Sequence, residues 1–537
     1  MIAKLRDFVR YDRISSKARF YGLLSLLILA ISFAGLNGSL QNVDESIFAF
    51  TARDSLERNS WIIQINRGER TFYKSPMVFW TAMLSFKTFG VSDFAGKLPA
   101  ALANTAAAFA LFFLCLRLFK SYKTALLAVL IYQCSLQVHI SSHQICTDVY
   151  YQTFLLIGLL FCLRGIQEKP GWFLLAGLAN GLVFLSKSAL GMVIPVTLLA
   201  FIIFDRRWKL FVHLVMLFLI GLVVALPFFL AAYLKEPEMF MTYFIERYLL
   251  NAVRGGGGFN VLDAFYGFAY FFVLLNVMLL PFTPGWVHLL LRKHEPAKTA
   301  DIIWKGENKL LTLFFLTGYI GFSLIPQRLP HYTLPMIPTL AVFIGALFTR
   351  TEKPGKIYLS QAILAGVVLI IFLGFVVMEA SRYPTWHDVA IGLIAMYALF
   401  FAWNLILYVK KVPASTGLFS AVLLFFLAFT ITVAVTVPMD FNRDIRGFAK
   451  HYRRPSPLYV IHSKKVNEGG KSNPIYWYMD TEPVEFSDLR SFEEAAGEVD
   501  RGSYLIFNKE YTEELESLLP SLELVQKGKI WNFARYE

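Results

Sequence analysis

Residues 210–233 read LFVHLVMLFLIGLVVALPFFLAAY, a run without one Asp, Glu, Lys or Arg. Wound as a helix at 1.5 Å per residue it is ~36 Å long, enough to cross a hydrocarbon layer ~30 Å thick. Outward from it the same composition returns along most of the chain. Apolar segments at 20–38, 97–116, 124–138, 149–163, 171–186, 189–204, 264–291, 310–325, 333–349, 357–378, 388–408 and 417–438 join it to make about thirteen candidate membrane helices. The 537-residue chain as a whole agrees: it is 56% hydrophobic and 17% charged, with 51 phenylalanines. Soluble domains carry about a quarter of their residues as charges, so a water-soluble globular enzyme is excluded. The expected fold class is an α-helical polytopic membrane protein.

The formal net charge of +13 is unevenly spread. Residues 1–438 hold 37 Lys and Arg against 21 Asp and Glu, while residues 439–537 hold 14 against 17. The excess belongs to the apolar part. No basic stripe with interleaved aromatics stands in a polar region, which argues against a nucleic-acid partner. With a cytoplasmic N-terminus, the segments on that side hold 24 Lys and Arg, and the opposite loops beyond the long first one hold six. The positive-inside rule then sets the expected orientation, and an odd number of spans puts the C-terminal region outside. The basic first 19 residues precede an apolar run without a small-residue cleavage site, which reads as an uncleaved first span. Cys115, Cys134, Cys146 and Cys162 lie in or beside apolar segments without a CxxC, so neither a metal knuckle nor a disulfide framework is expected.

Two outside segments are long. Residues 39–96 contain an amphipathic stretch, Met77 to Phe89, too short to span and suited to lie along the interface. Residues 234–262 end in Arg254 and four glycines, Gly255 to Gly258, a mobile or sharply turned connection that fits a lid or a plain linker equally. After Pro438 the composition changes. Runs at Leu458–His462, Tyr504–Asn508 and Ile530–Arg535 read as strands, and Leu489–Glu498 and Thr512–Leu518 as helices. The chain therefore divides into a membrane domain, 1–438, and a small α/β domain, 439–537, with no nucleophile elbow, phosphate loop or metal-ligand cluster. Scaffolding or acceptor recognition is expected of it.

Ionisable residues at membrane depth or its outer edge are costly to keep and are therefore functional candidates. Asp44-Glu45 follows the first span and fits a general base, a metal site or a solvated helix N-terminus. Asp148 opens the fourth span at its outer end, where an N-cap role is also open to it or to Thr147. Lys74, Lys187 and Arg328 are cations on the face where the positive-inside rule disfavours them, a pattern that suits a bound anion such as a phosphate. Trp61, Tyr73, Trp80 and Tyr332 fit an interface belt or substrate contacts. His139 and His143 are four apart, but with no HExxH and no third ligand they read as polar lining.

In order along the chain stand Asp44-Glu45, Trp61, Gly68 in a strand-like piece, Phe72-Tyr73-Lys74-Ser75-Pro76, Thr147-Asp148, Leu185-Ser186-Lys187-Ser188, Pro281-Phe282-Thr283-Pro284 and Arg328-Leu329-Pro330-His331-Tyr332. This series resembles the bacterial polyprenyl-phosphate-sugar transferases of the dolichyl-phosphate-mannose protein mannosyltransferase superfamily, the group that includes the lipid A aminoarabinose transferases. The resemblance covers roughly residues 20–350 and implies a GT-C fold. It further implies that Asp44 is a catalytic carboxylate and that Asp148, with Glu45 beside Asp44, belongs to the same acidic set. By the same likeness Lys74 contacts the donor's phosphate, Arg328 and Tyr332 line the lipid-phosphate pocket, and Lys187 is a cavity lysine. Glu246-Arg247 resembles the family's Glu-His followed by an arginine, with Arg247 and Arg254 both eligible as that arginine, and Tyr73, His331 and Glu246 line the substrate cavity. Phe48 stands where the family often has Tyr, and Ser75 displaces a proline, so the acceptor pocket departs from the pattern.

The implied reaction is inverting transfer of a sugar from undecaprenyl phosphate to lipid A, another envelope glycolipid or a protein at the periplasmic face of the bacterial inner membrane. It requires neither nucleotide nor metal cofactor, although Asp44, Glu45 and Asp148 together offer donors for a divalent ion. A monomer among membrane lipids is expected. A transporter or flippase is the competing class, but it would place charges at mid-span and show symmetric repeats. A scaffold subunit whose outside domain does the work is the third.

Overall fold

The computed structural model describes residues 17–40, 43–72, 74–250, 261–290, 296–326, 328–379, 384–436, 443–462, 473–481, 483–528 and 531–537. Each of the thirteen apolar segments contains helix, but they are not thirteen equal rods. Asp93–Phe119, Asp148–Gln167, Trp208–Lys235, Gly355–Gly374 and Ala390–Val409 are long and apolar enough to cross a membrane unaided. Tyr122–Gln133 and Leu136–Ser142 form a sixth only as a pair bent by 70°. Shorter apolar helices such as Trp172–Lys187 and Ile337–Arg350 pack among them. The segment read as 264–291 is likewise two helices, Val261–Met278 and Thr283–Leu290, parted around Pro281. Proline removes a backbone donor and disfavours the helical conformation at the residue before it, which favours a break there, although Pro99 and Pro227 are accommodated inside continuous helices.

Small residues set how closely the spans approach. Where Trp172–Lys187 crosses Phe211–Lys235, a Cβ added to Gly181 would stand 2.4 Å from the Val224 Cβ, and one on Gly177 2.8 Å from the Ile220 Cβ. Only hydrogen fits at these positions, the usual way two backbones come together where no hydrophobic force drives helices against each other. This contact sets the position of the body of the helix Trp172–Lys187, which ends in Lys187.

The first outside segment is more ordered than its sequence suggested. Val43–Glu57 is a helix with Asp44 and Glu45 in its first turn, where carboxylates favour the positive end of the helix dipole. A hairpin follows, β1 (Gln64–Asn66) and β2 (Glu69–Thr71), turned by Arg67 at φ +49° and Gly68 at φ +86°. Two successive positive φ values match the right-handed twist of a two-residue hairpin, and Gly68 supplies one without steric cost. Met77–Phe89 is helical as read, with Met77, Val78, Phe79, Ala82, Met83 and Phe86 buried and Leu84 and Phe89 exposed. Ser92 caps the next helix by accepting from the Ala95 amide.

Beyond the spans, a five-stranded sheet has the order β4-β3-β5-β7-β6, with β3 (Leu458–Ile461), β4 (Val484–Phe486), β5 (Tyr504–Asn508), β6 (Leu522–Lys527) and β7 (Trp531–Tyr536). β3 runs parallel to β4 and β5, and β7 antiparallel to β5 and β6. The strand at β5 lies where it was read, whereas β4, β6 and the helix Asn473–Met479 were not anticipated. That helix leaves the sheet region and buries Trp477 in the core of the first outside segment, among Phe50, Phe79, Phe86 and Tyr150.

Candidate active site

Asp148 begins its helix only 7% exposed. The Thr147 hydroxyl donates to its Oδ2 at 3.2 Å, and Lys187 Nζ donates to its Oδ1 at 2.5 Å. Thr147 therefore serves the Asp148 carboxylate rather than capping the helix. The Lys187 ammonium also faces the Tyr332 ring at 4.8 Å and the Tyr151 ring at 5.7 Å. A cation between a carboxylate and two aromatic faces is held on several sides, in a setting where such contacts outweigh their surface values. Tyr332 is itself stacked on Phe322 at 5.0 Å and meets His331 edge-on at 4.9 Å.

His331 ties the arrangement together. Its Nε2 lies 3.9 Å from Asp148 Oδ1. Its imidazole sits among four charges, with Asp148 and Asp44 favouring the protonated ring and Lys187 and Lys74 opposing it. Burial is the largest influence, and the ring's pKa falls below its ordinary value, so the imidazole is neutral near pH 7. Four residues from separate stretches of sequence, Asp148, Lys187, Lys74 and Asp44, thus act electrostatically on one imidazole.

The backbone around Lys187 is strained. Ser188, which follows it, adopts φ +33° and ψ −109°, a conformation costly for a residue with a Cβ and characteristic of functional turns. The Ser188 hydroxyl lies 2.8 Å from that of Ser75, so the Lys187 turn and the Lys74 segment are joined side chain to side chain. Gln64 of β1 holds the Lys74 backbone from the other side, its Nε2 donating to the Lys74 carbonyl at 2.8 Å.

Other candidates stand elsewhere. Glu45, one residue from Asp44, turns inward and is 1% exposed, its Oε1 accepting from the Ile145 amide at 3.1 Å and facing Lys97 Nζ at 3.9 Å. With Glu45 bound there and Asp148 bound to Lys187, the three carboxylates do not present a shared donor set for a divalent ion. Arg328 departs further from expectation. Its two terminal nitrogens fork the Asp263 carboxylate at 2.9 and 2.7 Å, and its plane lies over Tyr266 at 5.4 Å. The guanidinium fastens the 328–335 segment to Val261–Met278, and Asp263 already occupies both of its terminal nitrogens. Glu246 is exposed on the π-helix Met241–Leu250, which includes the backbone of Arg247. Tyr73, Arg254 and the glycines at 255–258 lie outside the described residues, as does the side chain of Arg247. The His139 and His143 rings lie tilted at 40° with centroids 4.1 Å apart, and among the described residues no three His, Cys, Asp or Glu side chains group as metal ligands.

Two residues escaped the sequence reading. Asp263 gave no signal of its own, because its role exists only through Arg328. Lys97 did give one: it is a lysine inside the first turns of an apolar helix, 1% exposed, donating to the carbonyls of Gly38 and Ser39 at 2.9 and 2.7 Å.

Solved structures share this architecture. ArnT from Cupriavidus metallidurans, bound to undecaprenyl phosphate, superposes with a TM-score of 0.74, covering 97% of this chain and 99% of that one at 17% identity. The chain has the GT-C fold. A family model for dolichyl-phosphate-mannose-protein mannosyltransferases matches residues 73–233 of this GT-C chain, the stretch that carries Lys74, Asp148 and Lys187. Among curated relatives, an undecaprenyl phosphate-alpha-4-amino-4-deoxy-L-arabinose arabinosyl transferase from Edwardsiella ictaluri is 28% identical over 326 residues, 58% of this chain and 56% of the relative. One of the same name from Serratia proteamaculans is 25% identical over 397 residues, 70% of this chain and 69% of the relative. The GT-C chain thus spans little more than half the length of the first of these relatives. The resemblance read from the ordered motifs is borne out by these matches.

Proposed function

We propose that this chain transfers a sugar from an undecaprenyl-phosphate-linked donor to an envelope acceptor, working at the periplasmic face of a bacterial inner membrane with its N-terminus in the cytoplasm. The observation that carries the reading is the largely buried Lys187–Asp148 pair beside His331 and Tyr332, to which the Lys74 segment is joined through the Ser75–Ser188 contact. A sugar on a lipid phosphate is already activated, and its departure leaves growing negative charge on the phosphate. Lys74 and Lys187 supply cations where that charge develops, and binding that strengthens toward the transition state is what accelerates a reaction. Asp148 holds Lys187 in place. Asp44, exposed at the start of its helix, accepts the proton of an attacking hydroxyl, or orients an acceptor that is already an ionised phosphate such as lipid A. A single displacement inverts the anomeric carbon and needs neither nucleotide nor metal. The names of the relatives favour a 4-amino-4-deoxypentose as the sugar. A monomer suffices, since the converging residues come from one chain.

Mass spectrometry of envelope lipids and glycoproteins from cells with and without the chain tests this reading. A pentose or hexose present on lipid A, another glycolipid or a protein only when the chain is present supports it and identifies the acceptor. Asp44→Asn is expected to lower that modification by roughly 100-fold or more, leaving a measurable residual rate, while the protein still inserts in the membrane. Unimpaired transfer by Asp44→Asn removes Asp44 from the mechanism.

A further inference from the structure

The backbone that leads into the Asp44 helix is gripped at successive residues. Arg446 Nη1 donates to the Asn37 carbonyl at 2.9 Å. Lys97 Nζ donates to the carbonyls of Gly38 and Ser39 at 2.9 and 2.7 Å. The Leu40 amide donates to the Tyr478 hydroxyl at 2.9 Å, and that hydroxyl donates in turn to Asp93 Oδ2 at 3.1 Å. Glu45, adjacent to Asp44, is held by the Ile145 amide and Lys97. Asp93 and Lys97 are four residues apart on one helix, so they share a face. That face offers a carboxylate to the C-terminal domain and an ammonium to the chain entering the Asp44 helix.

Two of these grips, Arg446 and Tyr478, come from beyond the spans, and the same domain also holds the far end of the helix. Trp477 Nε1 donates to Asp93 Oδ1 at 2.8 Å while its ring stacks on Phe86 at 5.8 Å. Tyr476 meets Phe50 edge-on at 5.0 Å, and Arg53 reaches the Trp477 carbonyl at 3.3 Å and Asp480 Oδ1 at 2.8 Å. Aromatic side chains with few rotamers, bonded at both polar and apolar ends, make a stiff clamp.

We propose that Tyr478 and Lys97 are positioning residues for Asp44, and that the C-terminal domain's part in catalysis is to fix the entry of the Asp44 helix through the chain Leu40 N–H, Tyr478 O–H, Asp93. The proposal rests on the function given above, in which Asp44 meets the acceptor. Catalytic geometry tolerates little error: displacement of a reacting group by about 1 Å costs on the order of 100-fold in rate. Neither residue touches substrate in this account. Both act on the backbone within a few residues of Asp44.

Tyr478→Phe keeps the ring and removes only the hydroxyl. In the purified full-length protein it is expected to raise hydrogen exchange in peptides covering residues 36–47, leaving those of the span Asp148–Gln167 protected. The turnover number is expected to fall by roughly 10- to 100-fold with the donor KM within about twofold of wild type. In an Asp44→Asn background, Tyr478→Phe should lower residual transfer by less than about threefold, because a residue acting through Asp44 has nothing left to position. Lys97→Met should repeat the exchange and rate effects, and where that variant does not fold the Tyr478→Phe result decides alone. Unchanged exchange and turnover in Tyr478→Phe overturn the proposal, as does a loss wholly in KM or an equal loss in both backgrounds. A wild-type chain that transfers no sugar overturns the function itself and Asp44's role with it. A competent wild type with an unimpaired Tyr478→Phe overturns the positioning role alone.

Discussion

Lys187 and Asp148 meet at 2.5 Å with both side chains largely out of water, 15% and 9% exposed. Removing one member of such a pair strands the other, at a cost of ~3–5 kcal/mol, while removing both avoids most of it. Lys187→Met should therefore lower the thermal midpoint in detergent and abolish transfer, and the double variant Asp148→Asn/Lys187→Met should recover much of the midpoint without recovering activity. His331 makes the second residue-scale prediction. Its folded pKa lies below its unfolded value because burial opposes the charged ring. The stability this neutral ring contributes is complete above about pH 6.5, the ordinary histidine value, and is lost as pH falls through the lowered folded value. Thermal midpoints of the wild type should drop on the acid side of that pH, and His331→Gln should flatten that part of the profile. At this scale the acidic and cationic candidates Asp44, Lys74, Asp148 and Lys187 were legible because a charge at the outer edge of an apolar span is conspicuous. The tasks of Glu45 and Arg328 were not, because a side chain's partner, Lys97 or Asp263, is a fact of three-dimensional proximity that neither spacing nor residue type encodes.

Between elements the decisive contacts are close ones. Gly181 lets the helix ending in Lys187 approach Phe211–Lys235, and a Cβ there meets Val224 at 2.4 Å. Gly181→Leu forces the helices apart, with an overpacking cost of ~1–3 kcal/mol. It should lower the thermal midpoint and reduce transfer together, since Lys187 moves with its helix. Helix existence was readable from apolar runs because the hydrocarbon layer imposes a minimum length and forbids unpaired backbone. Helix ends were less so. The bend at Cys134 to Ser135 and the break around Pro281 divide runs that look continuous, and the Asp44 helix, of mixed polarity, stood in what read as a loop.

Across the whole molecule, the Asn473–Met479 helix joins the small α/β region to the outer ends of the spans. Trp477 is 7% exposed in the core shared with Phe86 and Phe79. Truncating a buried Trp to Ala removes that filling at a cost of ~3–5 kcal/mol. Trp477→Ala should lower the thermal midpoint and cut transfer, even though Trp477 lies in the 443–537 region, which carries none of the candidate charges Asp44, Lys74, Asp148 and Lys187. The sequence by itself determined that the chain is an α-helical membrane protein of GT-C type and which charges stand at the ends of its apolar runs. Hydrophobic length, the cost of burying charge and ordered motifs are all properties of a linear string. Only the tertiary structure decided which charges neutralise one another, where the spans bend and that Tyr476-Trp477-Tyr478 reaches back to the entry of the Asp44 helix. The Trp477 and Tyr478 contacts join residues more than 380 positions apart and the charge pairs Lys187–Asp148 and Arg328–Asp263 residues 39 and 65 apart, and no local rule of propensity or periodicity extends over those separations.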